Sequence, residues 1–218
     1  MSLSKTKIPW ANYTKNPVKG LCPMPCTYCY AKKFYRRFKW DTTIRLEPEV
    51  ISGEVLSKIP DGSRVFVGST IELFGDWIKK EWLDYIFKMC ILFPKITFIF
   101  LTKQPHNLMR YSPFPKNCWI LVSATDQQQY LTGLKYLRGI EATIKGFSFE
   151  PLLYKINTSY DTLDWAIIGS RTQPLRHPSL DWVSNILDSA KEFKTPVFIK
   201  EPLASYMNIN RQEFPEVK

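Results

Sequence analysis

Val65-Phe66-Val67-Gly68-Ser69-Thr70 is a short β-branched and aromatic run that stops on a glycine and two hydroxyl residues, and the same pattern recurs down the chain. Thr97 to Leu101 is followed by Thr102-Lys103, Trp119 to Val122 by Ser123-Ala124-Thr125-Asp126, and Ile144 to Phe149 by Glu150-Pro151. Trp165 to Ile168 leads into Gly169-Ser170-Arg171, and Val197 to Ile199 into Lys200-Glu201. Such apolar runs read as strands. Between them lie segments of helical period. Ile78, Trp82, Tyr85, Ile86, Met89 and Cys90 make one apolar face before Pro94, with Asp76 as the expected N-cap. Trp182, Val183, Ile186, Leu187, Ala190 and Phe193 are expected to face inward on another helix, capped by Ser179. Glu47-Pro48-Glu49 predicts a further helix that ends before Pro60-Asp61-Gly62. Strands alternating with helices predict βα units around a parallel sheet. With a first strand expected near Val18 to Leu21, the units suffice for an α/β fold, a partial or nearly closed (β/α)6-7 TIM-like barrel, in a single domain spanning residues 1–218. Barrels carry their active sites at the carboxyl ends of the strands, so polar strand ends in phase predict one shared functional face.

Cys22-Pro23-Met24-Pro25-Cys26-Thr27-Tyr28-Cys29 follows the first expected strand and would open onto that face. Three thiolates within eight residues, on a loop stiffened by two prolines, can converge on one metal centre and leave a coordination position open. Structural zinc sites take four protein ligands, usually from paired Cys or Cys/His units, and no second such unit is present. An iron–sulfur cluster held by three cysteines fits the donor set better. Zinc bound with a distant His or water, or an inert loop, stays open as the alternative.

The Cys-x3-Cys-x2-Cys run with an aromatic residue before the last cysteine resembles the signature of the radical S-adenosylmethionine (SAM) superfamily. That resemblance implies a [4Fe–4S] cluster on Cys22, Cys26 and Cys29, with SAM chelating the fourth iron and a reductant such as flavodoxin or ferredoxin. Further stretches are similar to a phage-associated three-cysteine family of unknown function that is grouped with radical SAM proteins. They are Asn16-Pro17-Val18-Lys19-Gly20, Val65 to Ser69 with Glu72-Leu73-Phe74, Phe100 to Pro105, Phe149 to Leu153 and Leu163 to Gly169. Two departures stand out. The gap between the first two cysteines is the compact superfamily one, and Gly169-Ser170-Arg171 stands where members often have Gly-Gly-Glu. By the same resemblance, Tyr28 lies near the SAM adenine, Gly68, Ser69 and Thr70 meet the SAM amino group, and Ser123 meets the ribose or carboxylate. Lys103, Glu150, Arg171 and Lys200 are expected at the substrate or the SAM carboxylate, or paired with one another as an ion network.

Composition bounds the alternatives. With 218 residues, 44% hydrophobic and 15% aromatic, the chain can bury one substantial core. It shows no membrane-spanning apolar run, no secretory pattern, no internal repeat and no low-complexity tract. Five cysteines, three of them crowded, argue for a reducing compartment, and the expected location is cytoplasmic. Cys90 and Cys118 read as buried hydrophobes. The formal charge of +10 favours polyanionic partners, nucleic acid first and a protein partner second. Its densest patch, Lys32 to Lys39, admits two readings: a helix with Ala31, Phe34 and Phe38 buried and its cations solvated, or a nucleic-acid contact beside the site. His106 and His177, each beside a proline, read as exposed loop residues. No phosphate loop, Gly-x-Ser-x-Gly elbow or His-Glu-x-x-His helix appears, which removes support for ordinary hydrolase and kinase chemistry. The leading expectation is a radical SAM enzyme acting on a macromolecule. The alternative is a non-enzymatic zinc-binding interaction module.

Overall fold

A computed structural model describes residues 5–159 and 163–216. In chain order the elements are β1 (Tyr13–Lys15), β2 (Val18–Lys19), α1 (Tyr30–Phe38), β3 (Arg45–Leu46), α2 (Gly53–Leu56), β4 (Arg64–Val67), α3 (Lys80–Leu92), β5 (Thr97–Thr102) and β6 (Cys118–Ser123). They continue with α4 (Gln127–Arg138), β7 (Ile144–Phe149), β8 (Trp165–Ile168), β9 (Arg171–Thr172), β10 (Leu175–Arg176), α5 (Leu180–Glu192), β11 (Val197–Ile199) and α6 (Leu203–Met207). Seven strands pair in parallel in the order β1-β4-β5-β6-β7-β8-β11, so the sheet follows chain order and curls into a partial TIM-like barrel.

Two apolar layers hold this sheet. Val65, Val67, Phe98, Phe100, Ile120, Val122, Phe147, Phe149 and Ile168 face the helices, where they meet Leu83, Ile86, Leu134, Val183 and Ile186. The opposite strand parity gives a second cluster of Phe66, Ile99, Trp119, Leu121, Trp165, Ile167 and Phe198 inside the curl. Side chains alternate across a strand, so one run of apolar residues feeds both layers. The sheet's edge strands β1 and β11 do not pair with each other. Near the interior cluster, the Phe214 ring lies tilted 5.6 Å from Trp165 and edge-on 5.4 Å from Phe198, while Trp10 lies 6.3 Å from Trp165.

Several local expectations are corrected. The sheet's first strand is β1, whereas Val18–Lys19 pairs antiparallel with Arg45–Leu46 in a separate ribbon. Pro17 stands between the two and lacks the N–H a ladder needs. The helix expected from Glu47 divides into a 3-10 turn, Pro48–Ile51, and the short α2, because Ser52 is extended at ψ 161°. Asp76 does not cap α3, which begins at Lys80; its carboxylate accepts from Asn107 Nδ2 at 2.9 Å instead. Ser179 stands at the N-cap of α5 without a side-chain cap bond, and Phe193, expected inward, is 42% exposed at its far end. In α1 the buried side chains are Ala31 and Tyr35, so the expected burial of Phe34 and Phe38 does not occur. Among the described residues, no helix is long and apolar enough to cross a membrane.

Candidate active site

The interior-facing positions turn polar at the carboxyl end of the sheet. Leu101 is followed two residues later by Lys103, Leu121 by Ser123, Ser148 by Glu150 and Phe198 by Lys200. A two-residue step keeps each pair on one face of its strand, so the greasy interior is topped by a ring of polar groups. A pocket of about 290 Å³ opens there, near the lower end of small-molecule sites. Its walls include Tyr28, Ser69, Lys103, Ser123, Glu150, Arg171 and Lys200, together with Cys26 and Cys29. An adjoining cavity of about 120 Å³ is lined by Cys22, Cys26, Cys29, Gly68, Ser69, Thr70 and Lys103. The residues singled out from the sequence therefore gather on two adjoining hollows that share Cys26, Cys29, Ser69 and Lys103 as walls.

Local chemistry explains how each is held. Gly68 ends β4 at φ 81°, and a Cβ there would stand 2.4 Å from Leu73 Cδ1, so the turn requires glycine. The Gly68 N–H donates to Lys15 O at 2.9 Å, and Ser69 Oγ donates to Asn16 Oδ1 at 3.1 Å, which ties the ends of β1 and β4. Cys29 is the N-cap residue of α1 and makes no side-chain cap bond, so the helix start positions the last of the three cysteines. Tyr30 Oη donates to Ser69 O at 2.8 Å and pins that helix start to the end of β4. Lys32 Nζ donates to Met24 O at 2.5 Å, fixing the proline-stiffened loop from the other side.

Burial pushes the Cys22 thiol above its ordinary range, and the backbone N–H of Glu72, donating to Cys22 Sγ at 3.4 Å, works against that rise. Burial also pushes the Tyr28 phenol well up, with the Cys26 and Cys29 sulfurs adding to the effect. Glu150 and Lys200 form an ion pair in the pocket wall, the partnering that the sequence left open. Gly169 backs this pair, since a Cβ there would meet Glu150 Cγ at 3.0 Å.

All cysteines are free. Among the described residues, no three His, Cys, Asp or Glu side chains come together as a single-ion site. Cys22, Cys26 and Cys29 all line one small cavity beside an open pocket, and three cysteine sulfurs are the kind of donor set an iron–sulfur cluster would take there.

Sequence reasoning missed four contributors. Glu72 is 7% exposed and its carboxylate accepts from Thr102 Oγ1 (2.7 Å), Phe74 N (3.1 Å) and Lys103 N (2.7 Å). Ser148 and Ser170 line the pocket although almost wholly buried. His177 is tied to that wall: its Nδ1 lies 2.8 Å from Ser170 Oγ, and its ring stacks on Tyr206 at 4.1 Å. The two-residue step from Gly146 marked Ser148; nothing local assigned a pocket place to Glu72, Ser170 or His177.

A solved structure of a doubly substituted spore photoproduct lyase, with bound AdoMet (SAM) and a dinucleoside spore photoproduct, is similar to this fold. Its TM-score is 0.53 at 15% identity over 88% of this chain and 54% of that one. The likeness is one of fold, and the chain spans about half the length of that structure. No curated protein matches the sequence significantly. Residues 5–211 match the model of a family described as a protein of unknown function (DUF5131), and a match across nearly the whole chain means that the protein belongs to that family.

Proposed function

We propose that the protein is a radical SAM enzyme in which Cys22, Cys26 and Cys29 hold a [4Fe–4S] cluster and the adjoining pocket takes AdoMet. The observation that carries this reading is the pair of adjoining hollows, one lined by all three cysteines and the other by the polar strand ends. When bound, the reduced cluster supplies the electron for reductive cleavage of AdoMet. The chain's own groups bind and orient. The carbonyls and hydroxyls of Gly68, Ser69 and Thr70 accept N–H bonds from an ammonium group. Ser123, Ser148 and Ser170 offer hydroxyls to a ribose, and Tyr28 stands where an adenine would lie. Glu150 in its pair with Lys200 presents a fixed carboxylate and ammonium, while Lys103 and Arg171 are left for the anionic parts of AdoMet or substrate. Phe66 and Leu101 form an apolar floor that keeps water from the reacting atoms.

The substrate is a macromolecule, with nucleic acid the class that the +10 charge favours. Its electron donor is a protein of the flavodoxin or ferredoxin kind, and its free cysteines suit a cytoplasmic setting. The expected phage association rests on resemblance alone. The test is anaerobic reconstitution followed by reduction and AdoMet addition. About four iron and four sulfide per chain and release of 5'-deoxyadenosine are expected, both lost in Cys26→Ala. A fully loaded cluster that releases none, or stoichiometric zinc in its place, overturns the proposal.

A further inference from the structure

Helix α1 leaves the cysteine loop carrying more aromatic surface than its packing uses. The stretch Tyr30 to Trp40 holds five aromatic and five cationic residues and no carboxylate. Tyr35 accounts for the buried share: its ring is 7% exposed and its hydroxyl accepts from Gly20 N at 2.8 Å. Tyr30, Phe34, Phe38 and Trp40 remain 37–52% exposed. They form a continuous strip, Tyr30 to Phe34 at 5.7 Å, Phe34 to Phe38 at 6.0 Å, and Phe38 stacked on Trp40 at 5.5 Å. Lys39, in the left-handed region at φ 50°, turns the chain so that Trp40 N–H donates to Tyr35 O and the indole folds back onto the helix. An ordinary helix-end apolar contact explains Trp40 against Tyr35, but not the outward rings of Phe34 and Phe38.

The strip begins at the site. Tyr30 lines the pocket, and eight residues of helix carry the strip about 12 Å away from it. Arg37 lies over Phe38 at 5.3 Å, and Lys33 Nζ donates at 3.2 Å to Gln173 Oε1 on the β9–β10 hairpin. That hairpin adds Arg171, in the pocket wall, and the exposed Arg176.

We infer that α1 is a stacking platform for single-stranded nucleic acid, with bases laid on Phe34, Phe38 and Trp40 and phosphates held by Lys33, Arg36, Arg37 and Arg176, so that the neighbouring base reaches the pocket past Tyr30. Every base has a face to stack, whereas a duplex keeps its faces covered; exposed rings interleaved with cations therefore select an unpaired strand. A basic surface without rings would serve duplex equally well.

This rests on the nucleic-acid half of the proposed function, and its test is binding rather than turnover. Fluorescence anisotropy of the anaerobically reconstituted protein is measured with a labelled mixed-sequence single strand and with the matching duplex, across a salt series. AdoMet cleavage without oligonucleotide is followed separately, so failure of the cluster reading and failure of the platform give different results. Single strand is expected to bind more tightly than duplex. Phe34→Ala with Phe38→Ala should weaken it about tenfold or more without changing the salt slope. Lys33→Ala with Arg36→Ala and Arg37→Ala should lower that slope by about 0.7 per charge removed. Ile91→Ser, at an exposed apolar position on α3, should change nothing, and circular dichroism checks each fold. Equal or tighter duplex binding, no binding of either oligonucleotide at low salt, or full affinity in the double-ring variant overturns the inference.

Discussion

Glu72 shows how one buried side chain in the wall of the cysteine cavity can hold a site together. Its carboxylate receives two donors from β5 and the following turn and a third, Phe74 N, from its own loop, and its own backbone N–H donates to Cys22 Sγ. Replacing it by alanine strands the Thr102 hydroxyl and the Lys103 N–H inside the protein. Leaving buried donors unpaired costs about 1–3 kcal/mol each, so Glu72→Ala is expected to lower stability by about 3 kcal/mol and to reduce iron per chain on reconstitution. Glu72→Gln keeps an acceptor and should cost less. Urea unfolding and iron analysis of the two variants check this; full iron loading of Glu72→Ala would remove its positioning role. In the sequence the residue stood only within a family-like stretch, with no role assigned, because a carboxylate in a loop gives no sign of burial until Cys22, Thr102 and Lys103 come around it.

At the element scale, the ribbon of β2 and β3 sets the approach of the cysteine loop. Its register places Lys19 opposite Arg45, two cations that Glu47 draws together through Lys19 Nζ and, at 2.9 Å, Arg45 Nη2. The hydrogen bond from Lys19 holds the Glu47 carboxyl below its ordinary range. A carboxyl depressed in the folded state stabilises above its unfolded pKa, about 4.3, and this contribution is lost as pH falls through the lower folded value. Both cationic partners are about two-fifths exposed, and solvent screening limits the pair to about 0.5–1 kcal/mol. Glu47→Gln should therefore unfold earlier in urea at pH 7 by that amount, with the difference from the wild type shrinking as pH drops below 4. A difference that persists unchanged at low pH would assign the effect to packing. This ribbon escaped sequence reading because Val18 carries a stronger strand signal than Thr14 or Lys15, and propensity does not say which sheet a strand joins.

Across the whole molecule, a seven-stranded curl without β1–β11 pairing needs its interior cluster sealed. The C-terminal segment contributes: Ile199 N donates to Arg211 O at 2.8 Å, Glu213 N to Val197 O at 3.0 Å, and Trp165 Nε1 to Glu213 O at 2.9 Å. Phe214 packs against Trp165 and Phe198 under the Arg64 guanidinium, 3.8 Å from its ring. Phe214→Ala is expected to cost about 2 kcal/mol, less than the 3–5 of a fully enclosed Phe, read as a lower urea midpoint with an unchanged slope. No loss would show that the seam is held by backbone bonds alone. The alternation of apolar runs with helical faces and polar strand ends was legible as a linear pattern, since strand period and burial are local properties of the chain. So was the gathering of Cys22, Cys26 and Cys29 around one cavity, because a single short loop carries all three. Which way Phe34 and Phe38 point, how Ser170 meets His177, and that Glu150 answers Lys200 depended on residues far off in the chain. Such partners are chosen by the packed surfaces that fold against them, and no local spacing encodes that choice.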